Sequence, residues 1–282
     1  MRRPAPLPLN AMCHPDFWHD PEWRIYSRAL GLPQDEGWYH RKAWEWCQCV
    51  YGFERLGALG PDKLALGVGA GHERVLYYLA NRTAATVGTD LYTGDFATGP
   101  AGEADPGFLQ EPERFAPFAY YKERLFAFPA DGCRLPFRSG VFDVVYSLSS
   151  IEHFGGHDRA LQAVQEMCRA LRPGGTACVA TELVLEGGPH PAYFTWEDLE
   201  RYVIGPSGMA PVEPVNDRPP PAEMLEDPVK LPEEQARTPH VVVQEGQWKF
   251  TSVCVFMTKP RAARPWRAAG RHLVDKWRSA GK

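Results

Sequence analysis

Between residues 60 and 260, short apolar runs alternate with amphipathic runs along the chain. The apolar runs have the length of buried β-strands, and the amphipathic runs repeat their apolar positions every three or four residues, as helices do. Such alternation is typical of an α/β domain with a mainly parallel sheet. The predicted strands are Lys63–Val68, Ala85–Thr89, Leu125–Pro129, Phe142–Ser147, Thr176–Glu182 and Phe250–Thr258, and the predicted helices are Glu73–Asn81, Asp158–Leu171 and Thr195–Val203.

The segments outside this middle zone have a different pattern. Residues 1–59 are rich in aromatic side chains, and Tyr39–Leu56 has helical spacing without proline, so we expect a helical N-terminal addition. We favour packing of these aromatics against the sheet. The alternative is a lid over a binding site, formed by Tyr39, His40, Arg41 and Trp44. Residues 261–282 carry seven basic residues and one acid and predict a basic helical tail, whereas 205–240 is rich in proline and glutamate and predicts mostly loop.

Composition narrows the class of protein. The chain has 282 residues and a formal net charge of −4, which argues against a surface built to bind nucleic acid or an anionic membrane. It has neither an apolar run of the ~18 residues that a membrane span needs nor a signal-peptide pattern, so we expect a cytoplasmic protein. The seven cysteines form neither a disulfide framework nor a zinc-finger spacing, and we expect no metal site.

A glycine-rich loop joins the first predicted strand to the first predicted helix. It reads Gly67-Val68-Gly69-Ala70-Gly71, and glycines at such a turn let the backbone bend sharply and approach a ligand closely. A dinucleotide-binding loop has its third glycine one position later, where this chain has His72. An ordinary strand-to-helix turn is the alternative interpretation of the loop alone.

Two aspartates follow the next predicted strands. Asp90 lies 19 residues after Gly71, where a carboxylate can accept hydrogen bonds from the two hydroxyls of a ribose. Asp131 follows the third strand and could face the amine of an adenine, or it could form an Asp-Gly turn with Gly132. Because parallel strands end at the same edge of a sheet, we expect both aspartates beside the glycine loop.

Together these motifs resemble a class I S-adenosylmethionine (SAM)-dependent methyltransferase of the type that acts on small molecules. The matching stretches, in the family's order, are GVGAG (67–71), TD (89–90), ADGCRLPF (130–137), FDVVYSLSSIEHF (142–154) and ALRPGG (170–175). The resemblance implies a Rossmann-like domain over 60–260, with a seven-stranded, mainly parallel sheet, an antiparallel last strand and helices on both faces. It also implies SAM as cofactor and S-adenosylhomocysteine as product.

The resemblance implies roles for the matching residues. The glycine loop would hold the methionine and ribose of SAM, Asp90 the ribose diol, and Asp131 with the next two amides the adenine. The end of the fourth strand would flank the sulfonium. The implied cofactor-binding residues are Gly67, Val68, Gly69, Gly71, Glu73, Asp90, Leu91, Asp131, Gly132, Cys133, Ser147 and Leu148.

One position departs from the family pattern. Many members carry an acid two residues before the first glycine, and this chain has Ala65 there. Glu73 could replace that charge near the methionine amine, or it could simply favour the dipole of the helix that it begins. If nothing replaces the acid, a SAM-fold protein that binds a ligand without catalysis becomes the better interpretation.

The reacting residues are expected in the stretch after the fourth strand. His153, with Glu152 beside it, could take a proton from an acceptor hydroxyl, because an imidazole titrates near neutral pH. The alternative is that His153 only shapes the loop. His157 and His190 are lesser candidates, and 205–240 could form a wall of the acceptor pocket.

The expected function is therefore methyl transfer to a small-molecule acceptor. We favour oxygen as the acceptor atom and a sugar-containing or other specialised metabolite as the acceptor. A nicotinamide-dependent oxidoreductase is a second interpretation, disfavoured by the glycine spacing. A non-catalytic SAM-fold binding protein is the third. We expect no nucleic-acid partner, and the sequence leaves a homo-oligomer open.

Overall fold

The computed structural model describes residues 6–93 and 103–261. The predicted basic tail therefore lies outside the described residues, apart from Arg261. The strands are β1 (Ala11–Met12), β2 (Gly60–Val68), β3 (Thr83–Asp90), β4 (Leu125–Pro129), β5 (Phe142–Leu148), β6 (Leu171–Glu186), β7 (Ala210–Pro211), β8 (Val229–Lys230), β9 (Val243–Glu245) and β10 (Trp248–Thr258). The helices are α1 (Trp23–Ala29), α2 (Arg41–Arg55), α3 (Arg74–Arg82), α4 (His157–Ala170), α5 (Trp196–Asp198, continued as a π-helix over Leu199–Ile204) and α6 (Ala222–Glu226).

The described strands form one mixed sheet in the order β4-β3-β2-β5-β6-β10-β9-β8, with β1 and β7 also paired to β10. The strands from β4 to β6 are parallel, and β10 is antiparallel to β6. This confirms the Rossmann-like, mainly parallel sheet with an antiparallel last long strand. The sheet of the described residues has ten strands rather than seven. Four short strands of two or three residues, β1, β7, β8 and β9, add to the six long strands that the sequence predicts. Such short strands carry too few residues for a hydrophobic pattern to reveal them.

Alternating side chains of the central strands enter two separate cores, one on each face of the sheet. On one face Tyr146 packs with Trp44 of α2 and Leu76 of α3. On the other face Val145 packs with Val164 of α4. Helices therefore cover both faces, as predicted, and only the edge formed by the strand ends is left open for a ligand.

The N-terminal aromatic residues pack against the sheet. Trp23, Trp44 and Tyr51 are fully buried, and the Phe53 ring lies edge-on to Phe256 of β10, with centroids 5.5 Å apart. The backbone of α2 approaches β10 so closely that a Cβ on Gly52 would lie 2.1 Å from the Phe256 ring. Residues 6–59 are thus part of the core on that face, while the start of α2 extends to the open edge of the sheet.

The segment Arg172–Gly175 lies inside β6 instead of between two elements. Phe142 pairs with Leu171, but Val144 pairs with Thr176, so the segment bulges out of the ladder beside β5. Gly174, at φ +80°, supplies the left-handed residue of this bulge. The predicted turn is present, and the ladder resumes on both sides of it.

Helix lengths among the described residues also bear on membrane insertion. In residues 6–93 and 103–261, no helix is long and apolar enough to cross a bilayer.

Candidate functional site

The carboxyl ends of β2, β3, β4 and β5 border a cavity of about 450 Å³. The loop that follows each strand contributes to its wall, which is the position expected of a ligand site in an open α/β sheet. Seven of the predicted site residues line it: Gly69, Gly71, Glu73, Asp90, Leu91, Gly132 and His153. The other seven are outside its lining: Gly67, Val68, Asp131, Cys133, Ser147, Leu148 and Glu152.

The glycine loop is shaped so that two of its positions exclude a side chain. Gly71 has φ +45°, and a Cβ there would lie 1.9 Å from the carbonyl oxygen of Glu103. Gly69 has φ +63°, and a Cβ there would lie 2.7 Å from the Cβ of Ser150. The Ser150 hydroxyl donates to the Gly69 carbonyl at 2.6 Å, and the Tyr92 hydroxyl donates to the Gly71 carbonyl at 3.0 Å. The loop is therefore held as a bare backbone surface facing the cavity.

Asp90 ends β3 beside this loop. Its Oδ2 accepts a hydrogen bond from the Gly71 amide at 3.0 Å, and its Oδ1 accepts one from the Leu91 amide at 2.7 Å. Burial raises the pKa of Asp90, and the backbone donors oppose that shift. Because each carboxylate oxygen can accept more than one hydrogen bond, Asp90 keeps acceptor capacity for a ligand diol.

Asp131 is outside the lining of the cavity, although its neighbours Ala130 and Gly132 are part of it. Its Oδ2 accepts from the Arg159 guanidinium at 2.9 Å and its Oδ1 from the Cys133 amide at 2.8 Å. Gly132 does line the cavity, and a Cβ there would lie 2.5 Å from the Phe154 ring. The aspartate thus holds the turn, and the glycine forms the surface.

The end of β5 reaches the cavity one residue later than the sequence predicts. The strand continues through Leu148, so Ser147 and Leu148 are buried and Ser149 and Ser150 line the cavity. Ser149 adopts φ +46°, an unusual backbone for a serine, and its hydroxyl donates to Glu45 at 2.7 Å. The repeated serines in this stretch give no sign of which pair is exposed to a ligand.

Glu73 precedes the first residue of α3 and lines the cavity. Its Oε1 is 3.1 Å from the Nζ of Lys42, while its Oε2 is buried and has no hydrogen-bond partner among the described residues. Burial raises the pKa of Glu73 to about 7, although the Lys42 ammonium opposes the shift. Ala65, at the position where the family often has an acid, is fully buried in β2.

Lys42 and Trp46 of α2 line the same cavity, and sequence analysis did not single them out. The Lys42 ammonium donates to the Leu148 carbonyl at 2.8 Å and lies 3.2 Å from Glu45 as well as near Glu73. Burial opposes its charge, but the two carboxylates raise the pKa of Lys42 above its usual value. Helical spacing places these residues on one helix, but only the tertiary fold places that helix at the strand ends.

A second cavity of about 460 Å³ adjoins the first. The two share a wall made of Lys42, Trp46, Arg74, Glu103, Ser149 and His153. The far side of the second cavity is formed by the segment before α2 and by Leu231, Gln235 and His240 of the long loop. The His40 and His240 rings stack with centroids 4.3 Å apart, and Trp38 stacks on His40 at 5.8 Å. We call this second cavity the outer chamber.

His153 lies on the wall between the two cavities, in the short helical turn that follows β5. Part of the residue is exposed to solvent. Burial of the ring lowers the pKa of His153 below 6.5, and the Glu182 carboxylate opposes that shift. The imidazole is therefore neutral at neutral pH and able to accept a proton.

Glu152 points into the interior. It is buried, its Oε2 accepts from the Thr181 hydroxyl at 2.9 Å, and it lines neither cavity. The two lesser histidines bond to backbone: His157 contacts the Tyr193 carbonyl at 3.0 Å, and His190 accepts from the Tyr193 amide at 2.8 Å.

An ionic network underlies the wall between the cavities, and no sequence motif indicates it. Arg41 pairs with Glu182 and is 3.5 Å from Glu45. Glu45 is fully buried and accepts from the hydroxyls of Ser149 and Ser252. Among the described residues, no group of three or more His, Cys, Asp or Glu side chains could hold a metal ion.

Comparison with known proteins gives the family of this fold. Residues 66–179 match the family model of a methyltransferase domain. The chain is 44% identical over 59 residues to the tRNA (carboxymethyluridine(34)-5-O)-methyltransferase alkbh8 of Xenopus tropicalis, covering 21% of this chain and 9% of that protein. It is 36% identical over 76 residues to the tRNA (carboxymethyluridine(34)-5-O)-methyltransferase of Schizosaccharomyces pombe, covering 24% of this chain and 33% of that protein. The chain thus spans a third or less of the length of these curated relatives.

Two solved structures share the fold. A geranyl diphosphate methyltransferase in complex with SAM aligns with a TM-score of 0.51 and 16% identity, over 82% of this chain and 94% of that one. A candidate sarcosine dimethylglycine methyltransferase from Galdieria sulphuraria aligns with a TM-score of 0.51 and 13% identity, over 86% and 99%. The matched family model, the glycine loop and the sheet order agree: over residues 66–179 the chain carries a methyltransferase domain with the class I, SAM-dependent fold.

Proposed function

We propose that this protein transfers the methyl group of SAM to an oxygen atom of a small-molecule acceptor. The observation that carries the proposal is the pair of adjoining cavities at the strand ends, with His153 on the wall that they share. The inner cavity has the bare glycine surface that a nucleoside cofactor needs, and the outer chamber has room for a separate small ligand.

The residues of the inner cavity fit SAM. The loop from Gly69 to Gly71 approaches a ligand with backbone alone, and Asp90 at the end of β3 has acceptors for the ribose hydroxyls. The open Oε2 of Glu73 is an acceptor for the methionine ammonium, so Glu73 replaces the acid that is missing at Ala65. When bound, SAM supplies an electrophilic methyl group.

At the adenine end the proposal keeps Gly132 of the predicted residues, and at the sulfonium end it uses Ser149 and Ser150. Gly132 gives the adenine a flat backbone surface, while Asp131 supports the turn through Arg159. Ser149 and Ser150 line the cavity at the end of β5, whereas Ser147 and Leu148 do not, so the proposal assigns the sulfonium contact to the two serines at 149 and 150.

His153 acts as the general base in this proposal. The acceptor oxygen attacks the methyl carbon, the hydroxyl proton passes to the neutral His153 ring, and the pair of electrons from the broken carbon–sulfur bond stays on sulfur. The protein's main contribution is alignment of the two ligands across the shared wall. Glu152 is outside both cavities and supports the wall from behind.

The acceptor is a small molecule rather than a nucleic acid, and the charge around the outer chamber supports this. Asp35, Glu36 and Glu233 are exposed carboxylates on the two loops that border the chamber. A surface that binds tRNA needs excess Lys and Arg to meet the phosphate backbone. Transfer RNA is the second candidate because the curated relatives named above are tRNA methyltransferases.

The test uses SAM with a labelled methyl group. The protein is incubated with the labelled cofactor and, in separate reactions, with a small-metabolite fraction or with total tRNA. Label in the small-metabolite fraction that is lost with His153→Ala supports the proposal. Label in tRNA would replace the proposed acceptor with the second candidate, and no transfer to either acceptor in the presence of bound SAM would favour a non-catalytic binding protein.

A further inference from the structure

Buried carboxylates outnumber cations beneath the wall that separates the two cavities. The carboxylates are Glu45, Glu73, Glu152 and Glu182, and the described cations paired with them are Arg41 and Lys42. Glu45, Glu152 and Glu182 are at most 3% exposed. With every group ionised, the network holds two negative charges in excess, shielded from water.

The protonation equilibria reflect this excess. Burial raises the pKa of Glu152 and of Glu182 to about 7, and the charge of the Glu45 carboxylate adds to both shifts. Arg41 opposes the shift at Glu182 but does not cancel it. Since a buried ion is stable only when it is paired, the network favours an additional positive charge.

One carboxylate of this network lines the outer chamber and has an oxygen without a donor. Glu182 lines the outer chamber, its Oε1 pairs with Arg41, and its Oε2 is buried without a hydrogen-bond partner among the described residues. A buried acceptor that lacks a donor destabilises the folded protein. A donor that enters the chamber would remove this penalty.

The other cations of the chamber are already engaged. Arg41 and Lys42 each contact two carboxylates, and a guanidinium nitrogen of Arg74 donates to the Leu30 carbonyl at 2.8 Å. The stacked pair His40 and His240 is neutral at neutral pH, because burial lowers their pKa values to about 4 and 3. The chamber wall therefore offers a carboxylate oxygen without a donor and aromatic rings, together with Arg74, a cation that has no ion pair among the described residues.

From these contacts we infer that the acceptor carries a protonated amine, which donates to Glu182 while its hydroxyl faces His153. The inference rests on the proposed function, since it takes the outer chamber as the acceptor site. Bound SAM has two positive groups and one carboxylate, so its net positive charge offsets one of the two excess negative charges of the network. The acceptor's ammonium offsets the other. The exposed Asp35, Glu36 and Glu233 at the chamber border attract such a cation during its approach.

The Trp38, His40 and His240 stack adds a requirement of shape. The three rings are stacked face to face, with interplanar angles of 17° and 11°, and they line the same chamber as Glu182. Flat ring systems pack well on such a surface, and an ammonium near Trp38 gains a further attraction from its π-face. A ring that bears both a hydroxyl and an aminoalkyl group meets every part of the wall.

Three probes with the same phenol ring and different charge test the inference. Tyramine is cationic, 4-ethylphenol is neutral and 4-hydroxyphenylacetate is anionic at neutral pH. Each is titrated by calorimetry into the protein saturated with S-adenosylhomocysteine. We expect tyramine to bind at least ~10-fold more tightly than 4-ethylphenol and the anion to bind most weakly.

Glu182→Gln keeps the shape and removes the charge. We expect it to weaken tyramine binding about 10-fold while 4-ethylphenol binding is retained, and Glu197→Gln, an exposed carboxylate on α5, to change neither. Equal affinity for the three probes, preference for the anion, or no binding of any probe at millimolar concentration overturns the inference. SAM affinity of the unmodified protein is measured in the same series, so failure of the methyltransferase proposal is recognised separately.

Discussion

Replacement of Gly71 by alanine separates two effects that glycines in binding loops usually combine. At φ +45°, any L-residue other than glycine is strained by ~1 kcal/mol. Gly71 also has a steric constraint, because the new Cβ would lie 1.9 Å from the Glu103 carbonyl oxygen, and ordinary contacts begin above 3 Å. One of the two backbones must therefore move by about 1 Å, and the wall of the inner cavity moves with it.

A matched variant isolates the second effect. Gly57 follows α2 at φ +60°, and a Cβ there meets nothing within 4 Å. Gly57→Ala therefore carries the same backbone strain without the clash and without any contact with the cavity. We expect both variants to lose about 1 kcal/mol of unfolding free energy, and Gly71→Ala to lose more.

The assay is calorimetric titration with SAM, alongside urea unfolding of each variant. Gly71→Ala should weaken SAM binding by roughly 10- to 100-fold, which corresponds to about 1.4–2.8 kcal/mol, because the displaced loop no longer presents its backbone to the cofactor. Gly57→Ala should bind SAM as the unmodified protein does. If Gly71→Ala binds SAM normally, the glycine loop is not the cofactor surface and the placement of SAM in the inner cavity is refuted.

Other predictions concern single groups at the site. Asp90→Ala should weaken SAM binding by about 10-fold or more in a titration, because the ribose loses its acceptor; unchanged affinity would remove that role. His153→Ala should lower turnover roughly 10²-fold with SAM affinity intact. Because the His153 pKa lies below 6.5, the pH–rate profile should fall only when the pH drops below that value, and a profile that is flat through that acidic range would exclude His153 as the base. The pKa of Glu152 is about 7 in the folded protein and 4.5 in the unfolded chain, so between these pH values the folded state binds more protons. The free energy of unfolding should therefore fall as the pH rises from 4.5 to 7. Glu152→Gln should flatten that fall in urea-unfolding free energy, and an unaltered pH dependence would contradict the assignment.

The long strands and the glycine loop could be predicted from sequence because local patterns determine them. Five of the seven residues of Phe142–Leu148 are apolar, so burial of this strand between two helical layers follows from its composition. Gly69 and Gly71 fall between a strand and a helix, where only a ligand surface or a tight turn needs such spacing.

The outer chamber could not be predicted in the same way. Lys42, Glu103 and Glu182 come from distant parts of the chain, and their contacts depend on how α2 packs over the strand ends. Asp131 also has a contact that its motif does not indicate, because the tertiary neighbour Arg159 donates to its carboxylate. The predicted boundary between an N-terminal addition and the methyltransferase domain at residue 60 does not separate the site from the addition, because α2 contributes residues to both cavities.

The most direct test of the account is calorimetric titration of the protein with SAM, with S-adenosylhomocysteine and NAD as comparisons. The account predicts micromolar binding of both adenosyl ligands and no binding of NAD. Binding of NAD in place of SAM would contradict the account and favour a nicotinamide-dependent oxidoreductase. Absence of binding by all three would show that Glu73 does not replace the acid missing at Ala65.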